Sequence, residues 1–341
     1  MEKRLEQFKN FSSYFPTTKY TCVKGFKYLK FENWIGSGIY GDVYGVTHSD
    51  KKVDQKQVSK LRKRNSRTKP NYDFVVKFAY NSLPHRREIA IGKTLSKLVE
   101  NKICPYFPLF HKSYICKNLE FRGQGVYPEP HYWEKVKKGE GLIQFVEYVG
   151  ISLEDWMKRR HSSEAYSAMI CQVLIAIYAM KTKHNINHND LYISNITMMY
   201  VDKPCYHKFS INGNEYIVPV YNWYPVIIDF GQSSKHVKKQ CYSEDVFQFL
   251  SDFCVGENGT RPSTKRGKIK TTCDLPPQTA MLIKKILYNM LRSCTDFNTN
   301  DPVDYWIRTR YLDNDAILQK FFLKDFSKQN FKNWKVHKFK I

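Results

Sequence analysis

Gly36-Ser37-Gly38-Ile39-Tyr40-Gly41-Asp42-Val43 is the stretch on which the fold turns. Three glycines at this spacing let a backbone come close to phosphates, whose charge the peptide N–H groups can meet. The same spacing marks dinucleotide sites, where the third glycine opens a helix. Here Val43-Tyr44-Gly45-Val46 continues as β-type sequence, so a hairpin lying over phosphates is expected instead.

Working outward, Phe74-Val75-Val76-Lys77-Phe78 reads as a strand with a lysine inside it. Such a lysine is ordinarily an edge or snorkelling residue, and a chemical role requires a carboxylate partner. Glu88 supplies one, within a helix predicted over Arg86 to Val99. A strand is predicted from Leu142 to Tyr148, and a buried helix over the apolar run Ala165 to Met180. After that helix comes His188-Asn189-Asp190-Leu191-Tyr192-Ile193-Ser194-Asn195, in which Asp190 can orient a hydroxyl proton and Asn195 can hold a metal. Val226-Ile227-Ile228 reads as a buried strand delivering Asp229-Phe230-Gly231, whose carboxylate suits Mg²⁺. Each short match has a large chance background, but their order does not: glycine loop, strand lysine, helix glutamate, His-x-Asp-x-x-x-x-Asn, Asp-Phe-Gly.

In that order, from about Ile35 to Leu250, the chain resembles the eukaryotic-type protein kinase superfamily as a divergent serine/threonine kinase. The resemblance implies an α+β, two-lobed protein-kinase-like fold, with a strand-rich N-lobe, a helical C-lobe and ATP in the cleft. It divides the chain into an extension (1–30), an N-lobe (31–148) with a basic insert (51–70), and a C-lobe (149–341) with a divergent helical end. Gly36, Ser37, Gly38, Ile39, Tyr40 and Gly41 would cover the phosphates. Lys77 would bind the α- and β-phosphates while pairing with Glu88. Asp190 would be the catalytic base, and Asn195 with Asp229 would hold Mg²⁺ or Mn²⁺. Val43, Val75 and Val146 would line the purine pocket, and Glu147 and Val149 would offer it backbone groups.

The match also departs from the family pattern. Asn189 stands where most kinases have arginine, and Tyr192 where serine/threonine kinases carry lysine. No Ala-Pro-Glu-like segment follows Gly231. The helix beginning near Ser243-Glu244-Asp245, with Asp245 as its anchor, comes only about a dozen residues later. A loop that short implies constitutive activity, insensitive to replacing Ser233 and Ser234. Two other readings stand beside the leading one: a kinase-fold enzyme phosphorylating small molecules, and a pseudokinase scaffold. The presence of Lys77, Asp190 and Asp229 together argues against the scaffold.

Composition sets the remaining bounds. The 341 residues carry 55 Lys+Arg against 32 Asp+Glu, a net charge of +23. This favours acidic protein substrates, and nucleic acid as an alternative partner. Lys51 to Lys69 holds nine basic residues and reads as a solvated loop. A second glycine- and proline-punctuated insert spans Lys117 to Glu140. Ile211-Asn212-Gly213-Asn214-Glu215 reads as a hairpin turn. Lys320, Lys324, Lys328 and Lys332, interleaved with Phe322, Phe326, Phe331 and Trp334, predict an amphipathic surface helix, and the chain beyond Glu244 reads as mostly helical.

No apolar run approaches the ~20 residues of a membrane span, and the N-terminus lacks the apolar segment of a signal peptide. The nine cysteines include no C-x-x-C pair and predict reduced thiols, hence a cytoplasmic or nuclear protein. Heavy use of Lys, Asn, Ile and Tyr together with the compact activation segment would suit a large DNA virus, with the host cell or virion as its location.

Overall fold

The computed structural model describes residues 1–38, 41–52, 72–117, 140–211, 213–235, 242–256, 264–265, 268–269, 271–273, 275–292 and 334–341. Outside them lie Ile39 and Tyr40, the basic insert beyond Lys52, the second insert between Lys117 and Glu140, and the Lys320–Lys332 run. The architecture is α+β. It divides into two compact units, Met1–Glu100 with Pro108–Tyr148, and Asn101–Phe107 with Val149–Ile341.

Unit 1 contains helix α1 (Glu2–Asn10), strands β1 (Leu29–Gly38), β2 (Gly41–His48) and β3 (Phe74–Tyr80), helix α2 (Leu83–Glu100), and strands β4 (Phe110–Cys116) and β5 (Gly141–Glu147). The strands form an antiparallel sheet in the order β1-β2-β3-β5-β4. Alternation along β3 sends Phe74, Val76 and Phe78 into one face and Val75 and Lys77 to the other. The first face is an aromatic core of Phe15, Phe26, Phe31, Tyr44, Phe74, Tyr114 and Phe145, among others. The opposite face packs Leu142 and Val146 against Phe110 and Ile89 of α2.

Residues 1–30 belong to this unit. Phe15 and Phe26 are buried in the aromatic core, and Phe11, Tyr14, Cys22 and Val23 pack against it. Each large apolar side chain so covered is worth roughly 1.5–3 kcal/mol. Tyr20 pairs with Ile115 beside β4. A disulfide joins Cys22 to Cys116, which corrects the expectation of reduced thiols throughout. A separation of 94 positions hid the pairing, and the strand-like run of 19–21 along β4 creates it. Cys104, Cys171 and Cys205 are buried thiols that form no disulfide.

Among its described residues, unit 2 carries strands as well as the expected helices. It contains strand β6 (Ile151–Ser152), helices α3 (Leu153–Met157) and α4 (Ser163–His184), and strands β7 (Ile186–Asn187), β8 (Ile196–Tyr200), β9 (Cys205–Ile211), β10 (Asn214–Val220), β11 (Trp223–Ile227) and β12 (Ser234–Lys235). Helix α5 (Tyr242–Asp252) follows. Then come the short strands β13 (Cys254–Gly256), β14 (Thr264–Lys265), β15 (Lys268–Ile269) and β16 (Thr271–Cys273), helix α6 (Pro277–Arg292), and strand β17 (Lys335–Lys340). Two three-stranded sheets, β11-β8-β6 and β10-β9-β17, accompany the helices.

The β9–β10 hairpin pairs Ile211 with Asn214, and Gly213 at φ 79° supplies the left-handed turn position. The chain end corrects the expectation of helix. Lys335-Val336-His337-Lys338-Phe339-Lys340 lies parallel to β9, with Phe339 buried and the three lysines exposed. Lysines suit such an edge, since their charge discourages further strand pairing.

Helix α4 is capped by Ser162, whose Oγ accepts from the Ala165 N–H, and ends at Asn185 in the left-handed conformation. By length and composition it could cross a membrane. Its side chains from Ala168 to Lys181 are all buried within the protein, which makes it a core helix.

Candidate functional site

The sheet of unit 1 brings four of the predicted nucleotide residues, Val43, Val75, Lys77 and Val146, to one face. In the antiparallel register Gly36 lies beside Val43, Val43 beside Lys77, and Lys77 beside Gln144. One row along, Val75 lies opposite Val146. Directly opposed residues share a face, so Val43, Val75, Lys77 and Val146 form one half-buried patch. Helix α2 brings a carboxylate to it. Lys77 Nζ lies 2.7 Å from Glu88 Oε1, with side-chain exposures of 12% and 7%. Gln144 Nε2 donates to the same oxygen at 3.2 Å. Glu88 Oε2 is buried and has no hydrogen-bond partner among the described residues.

The glycine hairpin joins β1 to β2, with Gly38 opposite Gly41. Gly41 sits at φ 136°, and a Cβ there would fall 1.9 Å from the Phe78 carbonyl oxygen, so no side chain fits. Gly36 differs: a Cβ on it would meet nothing within 4 Å. Gly41 is needed for the fold of the hairpin, whereas Gly36 leaves its approach open.

In unit 2 the predicted loop is held by one face of α5. Asp245 accepts from the backbone N–H groups of His188 and Asn189, both at 2.8 Å. Gln248 Oε1 accepts from Leu191 N, and Asp252 Oδ2 from Ile193 N, both at 2.7 Å. Three acceptors spaced by three and four residues therefore line one helix face and fix the loop. Desolvation raises the carboxyl pKa of both Asp245 and Asp252, partly opposed by these N–H bonds. Asp245 was anticipated from the sequence. Gln248 and Asp252 were not, although their spacing from it was visible.

Held this way, Asn195 Nδ2 donates to Asp190 O at 2.7 Å and to Asp190 Oδ2 at 3.2 Å. Ile228 N donates to Asn195 O at 2.9 Å, which brings Asp229 next to Asn195 in the fold. His188 Nε2 bonds Ile228 O at 3.0 Å, and the ring packs on Phe230 at 5.4 Å. Asp229 has φ 59° and an exposed side chain, and its Oδ1 accepts from Gly231 N. Asn189, also at positive φ, donates from Nδ2 to Gln232 O (2.9 Å) and Ser234 Oγ (3.0 Å).

The donor set suits a hard divalent cation. With its NH₂ committed to Asp190, the Asn195 amide has a carbonyl oxygen to offer, and Asp229 adds a carboxylate. Among the described residues no cluster of three or more His, Cys, Asp or Glu could hold a metal.

No protein-family model matches the chain. It is similar to a kinase. The relative is named "Probable serine/threonine-protein kinase 380R", from Invertebrate iridescent virus 6, and is 22% identical over 215 residues, 61% of this chain and 37% of that protein. The chain thus spans little more than a third of that relative's length.

Of the sequence-predicted residues, Lys77 and Glu88 meet within unit 1, and Asp190 and Asn195 meet within unit 2, with Asp229 alongside. The Val149 side chain is buried in unit 2. Glu147 turns away from the patch, into the aromatic face. There Arg4 Nε and Nη2 donate to its Oε1 and Oε2 at 2.7 and 2.6 Å. Arg4 lies far outside the motifs, and nothing in its sequence context signals this bond.

Proposed function

We propose that the chain is an ATP-dependent protein kinase that transfers the γ-phosphoryl group of ATP to a serine or threonine hydroxyl of an acidic protein substrate. The observation that carries the reading is the Lys77–Glu88 pair, 2.7 Å apart on the sheet face that also bears Val43, Val75 and Val146. Similarity to a relative named a probable serine/threonine kinase supports it.

Phosphoryl transfer needs positioning and compensation of charge more than covalent help. Lys77, oriented by Glu88, binds the α- and β-phosphates. The backbone of the glycine hairpin covers them, and Gly36 leaves room for that approach. Asp190 accepts the proton of the acceptor hydroxyl as its oxygen bonds to phosphorus. The bond from phosphorus to the β–γ bridging oxygen breaks, and ADP leaves with the electron pair. Asn195 and Asp229 would hold Mg²⁺ or Mn²⁺, which neutralises phosphate charge when bound. Asn195 also holds Asp190 through its amide.

The test is transfer of labelled phosphate from ATP by the purified chain, offered acidic proteins, basic proteins, sugars and small alcohols, with phosphoamino-acid analysis. Phosphoserine or phosphothreonine is expected on acidic proteins, and Asp190→Asn should lower incorporation by about 10²–10⁴-fold. Incorporation into sugars alone would favour the small-molecule enzyme. Absence of transfer to every acceptor would overturn catalysis.

A further inference from the structure

The sheet face opposite Lys77 carries a second ion pair that the proposed chemistry does not use. Both oxygens of Glu147 are engaged: Oε1 by Arg4 Nε at 2.7 Å, and Oε2 by Arg4 Nη2 at 2.6 Å and Leu109 N at 3.0 Å. Glu147 N donates back to Leu109 O at 2.9 Å, so the last residue of β5 is tied both to the start of β4 and to α1. Arg4 and Glu147 are 6% and 9% exposed.

The segment that presents Arg4 is itself fastened along its length. Phe8 lies 4.6 Å from His111, Phe11 lies 4.8 Å from Phe74, and Phe15 lies 5.1 Å from Phe145. Tyr114 Oη donates to Pro16 O, and the Cys22–Cys116 disulfide closes the far end. A nine-residue helix is not stable in isolation, so α1 is formed by docking and its Arg4 is delivered at a fixed height. A bidentate guanidinium–carboxylate pair fixes direction as well as distance, which a lysine would not do.

We propose that Arg4 is a positioning residue for recognition of the nucleotide base: by clamping Glu147 from the N-terminal helix, it fixes the backbone at the end of β5 that meets the purine. This rests on the protein-kinase reading, in which that backbone is the purine-binding edge. A shift of that edge weakens base recognition without touching the groups that transfer phosphate. Loss of Arg4 therefore acts on nucleotide affinity and leaves turnover at saturation.

The experiment compares wild type with Arg4→Met, Arg4→Lys and the double variant Arg4→Met/Glu147→Met, using Val218→Ala in β10 as a control for lost stability. The readouts are the ADP dissociation constant by calorimetry, KM for ATP and for GTP, kcat, and thermal midpoint. Arg4→Met should weaken ADP and raise KM for ATP by about tenfold, narrow the preference for ATP over GTP, and leave kcat within about twofold. Arg4→Lys, which folds more readily, should lose about threefold. The double variant strands no buried charge, so it should recover thermal stability yet keep the weak ADP binding. Val218→Ala should lose stability and keep wild-type ADP affinity. A double variant with wild-type ADP affinity would overturn the proposal while the kinase reading stands. A wild type that binds neither ADP nor ATP would overturn both.

Discussion

Two cation–carboxylate pairs occupy opposite faces of the same five-stranded sheet, and they are built differently. Arg4–Glu147 is bidentate, and a backbone N–H completes the bonding of its carboxylate. Lys77–Glu88 meets through one carboxylate oxygen, which Gln144 shares, while the other oxygen is buried without a partner among the described residues. The first pair is saturated, as expected of a structural tie. The second is less completely bonded, because one oxygen of Glu88 is left without a partner among the described residues. Burial alone does not tell them apart, since all four side chains are at most 12% exposed.

The contrast breaks if exchanging the pairs' roles makes no difference. Lys77→Met should reduce phosphate transfer by about 10²–10⁴-fold, through loss of phosphate binding. Its effect on stability should be smaller, about 1–3 kcal/mol, because Lys77 makes one bond to Glu88 whereas Arg4 makes two to Glu147. Arg4→Met should do the reverse. It strands a buried carboxylate and should lower unfolding free energy by about 3–5 kcal/mol, with kcat preserved. Denaturant midpoints and saturating turnover on both variants decide the matter. Equal stability losses, or a larger loss in Lys77→Met, would dissolve the distinction.

A second measure separates the faces by pH. His111 sits among Phe8, Phe11, Phe15 and Phe74, and desolvation lowers its pKa from 6.5 to about 3. An unfolded chain takes up this proton below pH 6.5 and the folded one does not. Stability from this group is therefore complete above 6.5 and lost as pH falls toward 3. The loss should reach about 2 kcal/mol by pH 5. Asp245 and Asp252 in unit 2 have the opposite sign, since burial raises their pKa. Protection factors in β3 and β4, with the intrinsic pH dependence of amide exchange divided out, should fall between pH 7 and pH 5, and His111→Leu should remove that dependence.

The residues that meet within units were legible because each has a local signature. Strand alternation places Lys77, helix periodicity places Glu88, and Asn195 follows Asp190 by five positions in one loop. Hidden from the sequence were pairings made by the path of the chain. Arg4 reaches Glu147 across 143 positions, and Cys22 reaches Cys116 across 94. No periodicity encodes either separation. The helix expected over Lys320 to Lys332 lies outside the described residues, and the strand Lys335–Lys340 that follows carries exposed lysines, which fit an edge strand as well as a helix face.

The contrast between saturated and available groups recurs in unit 2. Ser233 and Ser234 are both hydrogen-bonded to the loop that carries Asp190. Ser233 is buried with its Oγ donating to His188 O, and Ser234 Oγ accepts from Asn189. Replacing both by Ala should leave turnover within about threefold while costing about 1–2 kcal/mol of stability. Asn189→Ala removes two bonds to the same segment and should cost a similar amount. A collapse of turnover in the serine variant, with folding intact, would show that these hydroxyls regulate.

The smallest expected effect lies in α2 itself. Gly92 sits in the middle of this helix, where glycine is about 1 kcal/mol less favourable than alanine. A Cβ at this position would lie 3.4 Å from Phe110 Cδ2, at ordinary van der Waals distance, and φ is not positive. Nothing there excludes a methyl group. Gly92→Ala should therefore stabilise unit 1 by up to about 1 kcal/mol, read as a higher denaturant midpoint. If Glu88 must keep its freedom beside Lys77, the stiffer helix should also lower kcat. A stabilised variant with unchanged turnover would mean that α2 already holds Glu88 in its working position.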